Sequence, residues 1–69
     1  MTLNDELFKI IFNSDLNGWN DESINTFYNF YRGNSDAETK NLHRFAIESD
    51  YETFKAKVRE VVNSLKDNN

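Results

Sequence analysis

The chain reads as an all-α domain, a compact bundle of three to four short helices, and three observations predict it. Helix-start signatures recur: Thr2…Asp5, Ser35…Glu38 and Ser49…Glu52 each place a hydroxyl three residues before an acid. Trp19-Asn20 followed by Ile24 fits a cap with a hydrophobic staple. Proline is absent, and Gly18 and Gly33 are the only glycines. Between these marks the apolar residues return at helical rather than alternating spacing.

The first helix is expected over about 3–12. At about 100° per residue, Leu3, Leu7, Ile10 and Ile11 share a face, and Phe8 and Phe12 widen it beyond what one covered side needs. Residues 13–18 form a loop of turn residues. The second helix, 21–32, aligns Ile24, Phe27, Tyr28 and Tyr31, with Phe30 beside the stripe and Gly33 as its terminator. The third, 36–48, carries Leu42, Phe45 and Ala46 inward and Ile47 outward. The fourth, 50–65, aligns Tyr51, Phe54, Val58, Val61, Val62 and Leu65. Only Ser49-Asp50 separates the last two, so a single bent helix from 36 to 65 is the alternative. Residues 66–69 are expected to fray from one small domain spanning 1–69.

A chain of 69 residues buries about 60% of its unfolded surface, so large side chains must supply its stability. Six Phe, three Tyr and one Trp suit that need, and without cysteine no disulfide can help. No apolar run approaches a membrane span, and the first residues lack the basic and apolar regions of a secretion signal. The expectation is a cytoplasmic protein.

Net charge is −4, unevenly spread. Residues 1–38 hold seven acids against Lys9 and Arg32, a balance of −5, and residues 39–69 hold six bases against five acids, +1. Most acids fall in or beside a helix first turn, where the macrodipole favours them: Glu6, Asp21, Glu22, Asp36, Glu38, Asp50 and Glu52. An acidic front half also disfavours phosphate backbones and favours basic partners.

Chemistry has little to work with. Nucleophilic catalysis needs a base oriented by a third group, and His43, the single histidine, sits mid-helix between Leu42 and Arg44. There is no glycine-rich phosphate loop. The expectation is a non-enzyme without cofactor. The second helix, Gly33-Asn34-Ser35 and the third helix superficially resemble a helix-turn-helix, but Asp36, Ala37 and Glu38 open the would-be recognition helix with the wrong charge, and no direct nucleic-acid binding is expected. Asn13-x-Asp15-x-Asn17-Gly18-x-x-Asp21 resembles the first part of an EF-hand calcium loop. Position twelve is Ile24 rather than the bidentate glutamate, which leaves a degenerate calcium module as the weakest alternative and names no metal ligands.

What remains is a surplus of apolar bulk off the helix stripes: Phe8, Phe12, Phe30 and Ile47. Either the helices cover them from two sides, or they form an exposed patch that meets a protein. The reading is a small acidic, non-catalytic, protein-binding domain. By analogy with small acidic proteins of phage and mobile elements, it would serve as an inhibitor or adaptor docking on a basic surface. The alternative is a self-associating structural protein, a homodimer through the same aromatics.

Overall fold

The computed structural model describes residues 2–67, and among them there are four α-helices and no strand: α1 Leu3–Phe12, α2 Asp21–Arg32, α3 Lys40–Glu48 and α4 Tyr51–Asp67. Two 3-10 turns, Leu16–Gly18 and Ala37–Thr39, lie in the connections. None of the helices is long and apolar enough to cross a membrane.

The local start signals form α1 and α2 as expected. Thr2 accepts from Asp5 N at 3.2 Å and Asp5 accepts from Thr2 N at 3.1 Å, a reciprocal capping box. Asn20 and Ser23 make the equivalent box at α2, with both bonds at 2.9 Å. Gly33 ends α2, but with φ −96° and ψ −3° rather than in the left-handed conformation of a glycine terminator.

Two starts differ from the sequence reading. The expected helix 36–48 is a 3-10 turn followed by α3, which begins at Lys40. Asp36, not Ser35, is the cap there, accepting from Glu38 N at 3.2 Å. The break has a physical cause. A continuous helix would bond Leu42 N–H to Glu38 C=O; instead Glu6 of α1 takes that donor, Leu42 N to Glu6 Oε1 at 2.9 Å. At the other boundary Ser49 caps the end of α3 in extended backbone, φ −111° and ψ 150°, so the single bent helix does not form. Asp50, one residue later than the expected Ser49, accepts from Thr53 N at 2.8 Å and starts α4. α4 continues through Asp67, so Lys66 and Asp67, expected to fray with the tail 66–69, are helical and extend the last turn; Asn68 and Asn69 lie outside the described residues.

α1 packs on α3 and α4, and α2 packs on the same two helices. The shared interior holds Leu7 and Ile11 from α1, Ile24 and Tyr28 from α2, Leu42 and Ala46 from α3, and Phe54, Val58, Val61 and Val62 from α4. These are the i, i+3, i+4 stripes of the four helices. Phe54 is the hub: its ring lies 4.9 Å from Tyr28, 5.5 Å from Phe45 and 5.8 Å from Phe27, within the range where aromatic pairs add to burial. The radius of gyration, 11.2 Å, is that of a well-packed chain of this length, about 11 Å.

Polar side chains tie the helix ends together. Tyr28 donates to Ser49 C=O at 3.0 Å and accepts from Arg32 Nη1 at 3.0 Å. Tyr51 donates to Asp21 C=O at 2.9 Å, and Arg59 reaches the Asp21 carboxylate at 2.7 Å. Among the described residues no buried side-chain polar atom lacks a partner.

Candidate functional site

The linker between α1 and α2 is built to hold one large ring at the surface. Ser14 donates to Ile11 C=O at the end of α1 and accepts from Trp19 Nε1, both at 2.7 Å. Ser23 Oγ reaches Gly18 C=O at 2.7 Å and so joins the linker to the first turn of α2. Trp19 is thereby set edge-on against Phe27, with ring centroids 5.1 Å apart. The chain continues from Phe27 to Tyr31 at 4.8 Å and from Tyr31 to Phe30 at 4.9 Å.

These rings border a shallow, open surface groove of about 490 Å³, lined chiefly by Ile10, Trp19, Phe27, Phe30 and Tyr31. That volume lies in the range of binding sites for small ligands or protein side chains, about 300–1,000 Å³. Among the described residues one carboxylate, Asp15, borders it, and no lysine or arginine does. Ile10 and Tyr31 also line an adjoining cleft of about 330 Å³, which Lys9, Asp36 and Glu38 border as well. Partial burial raises the Tyr31 pKa above its usual value, and the charge of Asp36 adds to that shift.

The four residues singled out in the sequence do not line one cavity. Phe30, 54% exposed, borders the groove. Phe8 is half-buried against the core and faces a separate cleft of about 80 Å³ with Lys57, Glu60 and Val61. Phe12 and Ile47, 71% and 51% exposed, line neither. Helical geometry explains the scatter: on α1, Phe8 and Phe12 flank the core stripe on the side away from Ile10. The groove residues Ile10, Trp19, Phe27 and Tyr31 escape a reading that sorts side chains into stripe or surplus, because each is half-buried and serves core and surface together. Phe27, Phe30 and Tyr31, at i, i+3 and i+4, are the signal that could have found them.

Other sequence candidates are engaged in the fold. His43 Nδ1 lies 2.8 Å from the Tyr31 carbonyl, which can only accept, so this nitrogen carries a proton and satisfies an end carbonyl of α2. In the calcium-like segment, Asn13 donates to Lys9 C=O at 2.7 Å, Asp15 accepts from Asn17 N at 3.0 Å, and Asp21 faces Arg59. Among the described residues no group of three His, Cys, Asp or Glu is placed to hold a metal ion. Asp36, Ala37 and Glu38 belong to the turn before α3 rather than to its first turn, which opens at Lys40.

The most consequential polar residue is one whose sequence position marks it as an ordinary first-turn acid. Glu6 is 2% exposed; besides Leu42 N–H it accepts from Asn41 Nδ2 at 2.7 Å. Its place beside Leu3 and Ile10, at i−3 and i+4, puts it at the border of the apolar stripe.

No family model matches the chain, and neither a curated protein nor a solved structure matches it.

Proposed function

We propose that this chain is a non-catalytic protein-binding domain and that a partner docks in the Trp19–Phe27–Phe30 groove. The observation that carries this reading is the groove itself, an aromatic-walled concavity held open by hydrogen bonds at Ser14 and Ser23 on the acidic front half of the chain. Exposed apolar concavities on small domains mark interaction sites, and the surrounding carboxylates favour a basic partner surface. An inhibitor or adaptor role fits a domain that offers an apolar contact surface rimmed by acids.

Phe30→Ser tests it. This ring is half exposed, so its loss leaves the helices folded while partner capture falls at least tenfold. Unchanged capture by a folded Phe30→Ser protein would remove the groove from the reading.

A second reading, self-association, is favoured by Phe12 and Ile47, which are exposed and line no groove with the other candidates. Sedimentation at tens of micromolar decides it. A dimer dispersed by Phe12→Ser and Ile47→Ser supports self-association, and a monomer at all concentrations rejects it.

A further inference from the structure

We infer that the occupant of the groove is a short amphipathic segment of a basic protein, seating a bulky apolar side chain among the rings and a lysine or arginine in the cleft next door. This deepens the docking reading and rests on it. The two concavities are not independent: Ile10 and Tyr31 wall both, so a segment lying across that ridge enters each within a few residues.

Charge complementarity selects the occupant. Asp15 borders the apolar groove, Asp36 and Glu38 border the adjoining cleft, and Glu22 lies in a shallow hollow beyond Ser23 and Thr26. Among the described residues that line these three hollows, Lys9 is the single base. Three cations of α4 are engaged elsewhere: Arg59 with Asp21, Lys55 with Glu52 and Asp21, and Lys57 with Glu60. Glu6 also borders the cleft, but its carboxylate is held by α3, so Asp36 and Glu38 supply the acceptors. Such a rim repels a nucleic-acid backbone or an anionic membrane and attracts Lys and Arg flanking an apolar anchor. A helix laying apolar residues at i, i+3 and i+4 along a groove has that chemistry.

Selection of displayed random 12-residue peptides against the immobilised full chain tests this. The expected winners pair a large apolar residue with Lys or Arg three or four positions away. Their affinity should fall at least tenfold with Phe30→Ser and several-fold with Asp36→Asn plus Glu38→Gln. The asparagine keeps the turn capped while removing the charge. Affinity should also weaken as salt rises from 50 to 500 mM, and less so in the charge-removed variant. Winners that are apolar without cationic bias, and indifferent to Asp36 and Glu38, would overturn this inference and leave the groove standing. Winners insensitive to Phe30→Ser, or none at all, would overturn both. Competition by a small uncharged aromatic probe with no charge dependence would assign the groove to a small molecule.

Discussion

The starts of α2 and α3 solve one problem in opposite ways. Each helix begins with backbone N–H groups that have no partner within the helix. α2 answers locally: Asn20 and Ser23, three residues apart, exchange hydrogen bonds at the protein surface. α3 has no cap of its own, since Thr39 makes no side-chain bond to its first turn. Its N3 donor, Leu42 N–H, is met instead by Glu6 across 36 residues of chain, in the interior. The first start folds wherever its four residues go; the second exists only when α1 and α3 are already packed. Local capping shapes a helix, whereas capping from another helix also fixes which helices are neighbours.

Breaking the distant cap should do the most damage. Glu6→Ala leaves Leu42 N–H buried without an acceptor beside a positive helix terminus, a loss of about 2–3 kcal/mol. A domain of this size holds roughly 3–10 kcal/mol in all, so urea unfolding should show a large fall in midpoint. Glu6→Gln keeps an acceptor but loses the charge, and its loss should be about 1 kcal/mol. Amide exchange at Leu42 should quicken in both, beyond the change at α2. Equal stability of Glu6→Ala and wild type would mean that water caps α3 just as well.

The same contrast explains what could be read in advance. Fold class, the bounds of α1 and α2, and the inward stripes follow from spacing and from caps within four residues, and these were legible. Glu6 was legible only in part: its place at the border of the apolar stripe sets it apart from Asp5, which stays at the surface, but its meeting with Leu42, 36 residues away, leaves no local mark. The start of α3 moved from 36 to 40 for the same reason. The binding surface was half legible. Phe30 stood out as surplus, but Trp19, Phe27 and Tyr31 divide their rings between core and groove, and that division is set by how α1, the linker and α2 meet.

Removing the local cap should have a smaller and more confined effect. Asn20→Ala deletes one surface acceptor and should lower stability by about 1 kcal/mol, with Asn20→Asp close to neutral. Hydrogen exchange should rise at Ser23 in the first turn of α2 and stay unchanged at Leu42. Faster exchange at both sites would show that α2's start is coupled to the interior as firmly as α3's.

Acid sharpens the comparison further, with the smallest expected effect. Backbone hydrogen bonding with Thr2 lowers the pKa of Asp5 below 3.8, hydrogen bonds from Thr53 do the same for Asp50, and the hydrogen bond from Arg59, helped by Lys55, does so for Asp21. A carboxylate whose folded pKa lies below its unfolded one contributes stability above the unfolded value and loses it as pH falls through the folded value. The starts of α1 and α4 should therefore weaken below about pH 4, while the amide cap of Asn20, which does not titrate, persists. Because these carboxylates are exposed, solvent screens them and the change is modest. Asp5→Asn with Asp50→Asn keeps cap-forming side chains and removes two titrating groups, so its melting temperature should decline less between pH 5 and 2.5 than that of the wild type. An equal decline would place the acid sensitivity elsewhere in the fold, and would remove these two surface caps from the account of how α1 and α4 begin.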